Sequence, residues 1–284
     1  MPDLDELWDF DDAAASEGRF REAIAAAAAA REAAEARTQL ARAVGLQSRF
    51  VEGHAVLDEV DAAGSVSDRV RVRSSLERGR LLRSGGDPTA SMVPFLEAWE
   101  LASGLGEDGL AVDAAHMLAI VDAPPGADAW HERALALAES SAHPAARRWR
   151  ASLWNNIGWA RSEWGDHAGA LVAFETALAA RRERGGTKEI RIAEWSVART
   201  LRSLGRTAEA LAIQERVAAE TAAAGDADDG YVAEEIGECL LALGREAEAR
   251  PLLAHAAELL AADAWLAEHE PERITRLRSL AGLV

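Results

Sequence analysis

The sequence predicts an all-α fold, a solenoid of about seven helix-turn-helix units, and three observations carry the prediction. A short pattern, a small-residue turn followed by an alanine-bearing stretch, returns at Gly18, Ser48, Gly86, about Gly126, Gly165, Gly205 and Gly244. Successive turns lie 30, 38, 40, 39, 40 and 39 residues apart. A near-constant period of this size, with two helical stretches per copy, marks stacked helical hairpins. Within each copy, apolar and small residues recur near the helical period, and the β-branched runs that strands prefer are missing. Alanine is also abundant. The run Ala25 to Ala30 reads as helix, because alanine loses no side-chain entropy there.

The units follow in order. The first turns at Gly18 (SEGRFREAIAAAA), the second at Ser48 (LQSRFVEGHAVLDEV), the third at Gly86 (SGGDPTASMVPFLEAWELA) and the fourth near Gly126 (PPGADAWHERALALA). The fifth, Leu153 to Ala179, is the clearest: Trp154, Ile157, Gly158 and Arg161 keep helical spacing, Gly165 breaks it, and Ala170, Phe174, Ala177 and Leu178 resume it. Gly158 and Ala170 let two antiparallel helices approach closely, with Trp154 and Phe174 filling the ends of the pair. Gly165 supplies the left-handed residue that ends the first helix, and Asp166 caps the second. The sixth and seventh units turn at Gly205 (SLGRTAEALAIQERV) and Gly244 (ALGREAEARPLLAHA). The array is expected over residues 5–262. A terminal helix from about Asp263 to Leu280, within 263–284, should cover the last unit's apolar face with Leu266, Ile274, Leu277 and Leu280.

At these residues the sequence resembles the tetratricopeptide repeat family. Trp154, Ile157, Gly158, Gly165, Ala170, Phe174 and Ala177 stand where that family has tryptophan, leucine, glycine, a turn glycine, alanine, an aromatic and alanine. The longer period and the loss of the aromatic after most turns, kept only as Phe20 and Phe50, depart from its pattern. The resemblance implies a right-handed α-α superhelix whose first helices line a concave groove. It would place Arg42, Arg73, Glu77, Arg80, Arg83, His116, Asn155, Asn156, Trp159, Ser162, Trp195, Arg199, Arg202, Tyr231, Glu234, Glu235 and Glu238 on the groove floor.

Charge adds direction. The net charge is −17, which argues against nucleic acid or an anionic membrane as partner, since both need a basic face. The distribution is uneven: residues 1–30 hold eight acids and two arginines and 226–270 twelve acids and two arginines, whereas 141–216 hold thirteen basic and eight acidic residues. Arg199 and Arg202 lie one turn apart, as do Arg80 and Arg83, and like charges at that spacing repel unless something anionic relieves them. Two readings stay open. Arg199 and Arg202 either pair with Glu235 and Glu238 on the next first helix, or hold a ligand's carboxylate beside Trp159 and Trp195 while Asn155 or Asn156 bonds its backbone. The candidate peptide-binding set is therefore Arg80, Asn155, Asn156, Trp159, Trp195, Arg199 and Arg202. Trp154, Trp99, Trp130, Trp149 and Trp164 are expected at packing positions.

Chemistry finds little to work with. The seven histidines are scattered without the one-turn pairing of a helical metal site, and Gly85–Gly86 and Gly185–Gly186 lack the lysine and strand of a phosphate loop. Glu268, His269 and Glu270 read as a solvated loop before Pro271. Cys239, the single cysteine, reads as a packed thiol in a reducing compartment. No apolar stretch matches a bilayer, and the acidic beginning is opposite to a signal peptide, so a cytoplasmic location is expected. The sequence thus predicts no metal, no cofactor and no catalytic residues. It points to a non-enzymatic scaffold for a protein or peptide partner, as a monomer or weak homo-oligomer. Two alternatives are a ligand- or peptide-sensing regulatory module, for which the early start of the repeats leaves no effector domain, and self-assembly of the basic middle on an acidic end.

Overall fold

In the computed structural model, residues 4–63, 67–123 and 126–283 are described; among them helices make up all the regular structure, with no strand. No helix is long and apolar enough to cross a membrane. Contacts divide the chain into two units, Met1–Leu153 and Trp154–Val284.

The first unit opens with a single 3-10 turn, Leu4–Leu7, followed by α1 (Ala13–Ala26), α2 (Ala30–Leu46), α3 (Phe50–Ala62) and α4 (Asp68–Ser84). Then come α5 (Pro88–Leu105), α6 (Asp108–Val121), α7 (Gly126–Ser140) and the one-turn α8 (Pro144–Arg147); the division falls within α9 (Arg150–Glu163). Consecutive helices pack against one another, and Leu76, Phe95, Leu118 and Leu153 are fully enclosed. Local chemistry sets the ends. Asp87 accepts from the amide of Ala90 at 2.9 Å with Pro88 opening α5, and Ser48, at φ 61°, turns the chain between α2 and α3.

Two expectations fail in this unit. Gly18 is not a turn; it lies in the middle of α1, exposed, with open space around its Cα. The carboxylate of Asp12 accepts from the Ala15 amide at 2.8 Å and starts α1 early enough to run through Gly18. The 3-10 turn stands where the first helix of that repeat was expected. The alanine run is also broken: Ala27 and Ala29 are extended, and α2 begins only at Ala30. Packing of α2 back on α1 overrides alanine's propensity here, and Glu32 accepts the freed Ala28 amide at 3.2 Å.

The second unit continues with α10 (His167–Arg184), α11 (Thr187–Ser203), α12 (Thr207–Ala224), α13 (Gly230–Ala242) and α14 (Glu246–Ala261), then α15 (Ala264–His269) and α16 (Pro271–Ala281). Gly165, Gly205 and Gly244 sit between helices at φ 79°, 76° and 74°, and Asp166 caps α10 through the Gly169 amide at 2.9 Å. Close approach of paired helices depends on a repeated device. A Cβ on Gly158 would meet ring carbons of Phe174 at 2.6 and 2.8 Å, and one on Gly237 would meet Leu253 at 2.6 Å. Gly79 faces Phe95 in the same way. In each case the bulky partner lies sixteen residues on, so Phe174 fills the crossing rather than the end of its pair.

The terminal helix is two helices. Asp263 caps α15 through Trp265 and Leu266 amides, and Pro271, which cannot donate to the preceding turn, restarts the chain as α16. Leu266, Ile274 and Leu277 are buried, with Leu280 packed at the edge of the same core. Of the tryptophans assigned to packing, Trp130 is buried edge-on to Trp99 at 5.6 Å, while Trp164 is 58% exposed because it falls one residue before the turn glycine, off the packed face. Cys239 is fully buried, and burial pushes its thiol up to about 11, so it is a protonated, packed side chain.

Candidate functional site

In the second unit, α9, α11 and α13 present aligned aromatic residues at a 36-residue interval: Trp159, Trp195 and Tyr231. Their ring centroids are 6.0 Å apart between Trp159 and Trp195 and 6.1 Å between Trp195 and Tyr231. Phe174 supports Trp159 edge-on at 4.9 Å. The Trp195 indole N–H donates to the carbonyl of Tyr231 at 3.2 Å, so the middle ring is fixed by a hydrogen bond as well as by packing.

The two arginines one and two turns beyond Trp195, Arg199 and Arg202, differ in their engagement. Arg202 donates through Nε and Nη2 to both oxygens of Glu235, at 2.8 and 2.9 Å, with Glu238 4.0 Å away. The hydrogen bond that Arg202 donates to Glu235 raises the Arg202 pKa above its ordinary value, against the opposing effect of burial. Arg199 instead places its guanidinium 5.4 Å from the centre of the Trp195 ring and 5.5 Å from that of Trp159. Its nearest approach to Glu235 is 3.9 Å, and its side chain is 40% exposed. One arginine is therefore consumed by an ion pair, and the other sits cation-over-ring at the surface.

The charge alternation extends to α16, which the repeat count had not reached. Glu234 receives Arg273 Nε at 2.9 Å and Arg276 Nη2 at 3.0 Å, Arg276 also pairs with Glu238, and Arg273 lies 4.8 Å over the Tyr231 ring. Arg273 and Arg276 were missed, although Arg273 follows Glu234 by one repeat length and the period itself was the signal. Asn155 and Asn156 are half-buried on α9. Beside Trp195 and Tyr231 opens a cavity of about 530 Å³, lined by Ile192, Val217 and Val232 and by charged residues including Lys188, Asp229 and the bound pair Arg191–Asp226.

Arg80 belongs to the first unit, where Glu77 and Asp113 grip its guanidinium. Burial by itself would lower the Arg80 pKa; the two carboxylates more than compensate and raise it. His116, half-buried on α6 with its ring 5.1 Å from Trp149, is pushed down to about 4, chiefly by burial. No group of histidine, cysteine, aspartate or glutamate side chains among the described residues is arranged to hold a metal ion.

Residues 151–184 match the tetratricopeptide repeat family model. No curated protein matches the sequence. Several solved structures share the fold. A tetratricopeptide repeat protein from Parabacteroides merdae aligns with a TM-score of 0.53 at 16% identity, covering 98% of this chain and 96% of its own. BtubC (BKLC) from P. vanneervenii gives 0.59 at 15% identity over 81% and 95%. NprR, in complex with its cognate peptide NprX, gives 0.55 at 15% identity over 98% and 81%.

Proposed function

Taking as premise that the chain is a tetratricopeptide repeat protein, we propose that it is a non-enzymatic scaffold whose second unit holds an extended, carboxylate-bearing segment of a peptide or protein partner. The observation that supports this reading is Arg199. It is a half-exposed cation flanked by two indole rings, and the one carboxylate paired with it among the described residues is already taken by Arg202 in bidentate fashion. A ligand carboxylate arriving at Arg199 forms a charge-assisted pair without breaking one, because Arg202 neutralises Glu235. Trp159 and Trp195 supply rigid apolar anchors, and the neighbouring cavity is large enough for an apolar side chain of the same segment. Asn155 and Asn156 remain candidates for bonding the ligand backbone, as asparagine amides both donate and accept. NprR, a neighbour in fold, is known as a complex with a peptide, which supports peptide capture as the mode of action.

The test is capture by tryptophan fluorescence of a panel of short acidic peptides with free C-terminal carboxylates, each against its C-amidated twin. The free acids are expected to bind more tightly, with affinity falling as salt is raised, and Arg199→Ala is expected to remove the difference by about tenfold or more. Equal affinity of acid and amide forms in the parent would refute the carboxylate role. Arg202→Ala is expected to lower stability and, because it releases Glu235 beside Arg199, to weaken the preference as well.

A further inference from the structure

The first unit carries a second and independent cationic face, and part of the chain already lies on it. Along α2, α4 and α6 stand Arg42, Arg73 and Arg80, with Glu77 and Asp113 as their acidic company. Arg80 takes both carboxylates. Arg42 and Arg73 have no carboxylate within ion-pairing distance among the described residues, and the Arg73 Nε is buried without a hydrogen-bond partner. Burial is the main cause that holds both guanidiniums below their ordinary pKa; Arg80 adds to it at Arg42 and Arg69 at Arg73, while Glu77, Asp113, Glu35 and Asp5 oppose it.

Residues 4–10, Leu-Asp-Glu-Leu-Trp-Asp-Phe, cover part of this face. Leu4 is buried against α1 and α2, which anchors one end. Trp8 donates its indole N–H to Gln39 at 3.1 Å and stacks on Phe10 at 4.9 Å, and the Arg42 guanidinium lies 5.4 Å from the Trp8 ring and 5.6 Å from that of Phe10. Asp5 reaches Arg148, just past α8, at 3.3 Å. Yet the fit is partial: Phe10 is 65% exposed, and no acid of the segment lies within ion-pairing distance of Arg42 or Arg73, although Asp5 is near enough to act on Arg73 electrostatically.

We propose that this face of the first unit is a docking site for an acidic peptide segment carrying an aromatic pair, and that residues 8–10 occupy it in cis until such a segment of a partner displaces them. The chemistry of the occupant is read from charge complementarity and from the segment seated there. Arg42 stacks on aromatic rings as it would on a ligand's, while the guanidiniums of Arg42 and Arg73 make no close ion pair with the resident segment and are left for a ligand's carboxylates. An incoming peptide that delivers them gains ion pairs the cis segment lacks, which offsets the advantage of a tethered competitor. The site shares no residue with the Arg199 surface, so either can fail alone.

The probe is a synthetic peptide of residues 4–12 (LDELWDFDD), which, released from its link to α1, is free to shift its carboxylates towards Arg42 and Arg73; it is compared with the same peptide in which every acid is replaced by its amide. Trp8→Ala/Phe10→Ala, which keeps Leu4 and Leu7, is expected to bind the acidic peptide about tenfold more tightly than the parent. Adding Arg42→Ala should abolish that gain, and the amide peptide should bind neither. Equal binding to parent and variant, or none to a variant whose circular dichroism matches the parent, overturns the proposal and leaves the segment as a fixed cover for α1 and α2. Hydrogen exchange on the unmodified protein gives a second measurement: amides of residues 8–12 should exchange well before those of α2, and equal protection overturns displacement. Concentration-dependent dimerisation of the parent, abolished by Trp8→Ala/Phe10→Ala, would mean that a second copy's residues 4–10 are the occupant and would also overturn the partner assignment.

Discussion

Replacing Gly158 by alanine isolates the close approach on which the helix pair α9 and α10 depends. In an exposed helix interior, glycine to alanine stabilises by about 1 kcal/mol, because the unfolded chain has less backbone freedom to lose. Gly18 is such a site: it lies within α1 with nothing near its missing Cβ, so Gly18→Ala should raise stability by roughly that amount. Gly158 is also within a helix, but a Cβ there would sit 2.6 to 2.8 Å from three carbons of the Phe174 ring. Ordinary contact requires nearly 1 Å more, and a buried ring cannot give way without moving the α10 backbone. Overpacking of this kind costs about 2–3 kcal/mol, so after the propensity gain Gly158→Ala should lose roughly 1–2 kcal/mol. On a Phe174→Leu background the clash is relieved and the same change should turn neutral or stabilising, a reversal of sign that a double-mutant cycle reads as coupling. Urea unfolding followed by far-ultraviolet circular dichroism measures all four variants and the Gly18→Ala control. If Gly158→Ala stabilises the parent as much as Gly18→Ala does, the helices do not approach over Phe174 as described.

Three other outcomes follow from the same geometry. Arg202→Ala should cost about 2 kcal/mol, because it strips the buried Glu235 carboxylate of its bidentate partner, whereas Arg199→Ala should change stability by less than about 0.5 kcal/mol, both read by chemical denaturation. Deleting residues 263–284 removes Leu266, Ile274 and Leu277 from the core and Arg273 and Arg276 from Glu234; the truncated protein should associate in size-exclusion chromatography and lose protection in α13 and α14, and unchanged monomeric behaviour would show that α14 needs no cover. His116, depressed from 6.5 to about 4, binds its proton more readily unfolded than folded, so its contribution is full above pH 6.5 and is lost as pH falls towards 4. The loss should approach about 3 kcal/mol at most, and His116→Gln should flatten that part of the stability profile; a variant with the parent's slope between pH 6.5 and 4 would refute the assignment.

The helical-pair architecture was legible in the sequence because its determinants are local or recur at the repeat length. The turn residues Ser48, Gly86, Gly165, Gly205 and Gly244 need backbone conformations that glycine adopts freely, and Gly158 with Phe174 encodes a crossing within one hairpin. The alignment of Trp159, Trp195 and Tyr231 followed from the same register. Tertiary structure decided the rest. Gly18 looked like its counterparts, yet it continues a helix, because Asp12 caps early and the described residues before it form only the 3-10 turn Leu4–Leu7. The alanine run breaks where α2 folds back on α1, although alanine alone would extend the helix. Pro271 and the Asp263 cap split the terminal helix in two. Spacing offered both Arg199 and Arg202 to Glu235. Only the packing of α11 on α13 hands the carboxylate to Arg202 and leaves Arg199 over the rings, because the reach of a long side chain depends on helix separation and rotation, neither of which one helix's sequence contains.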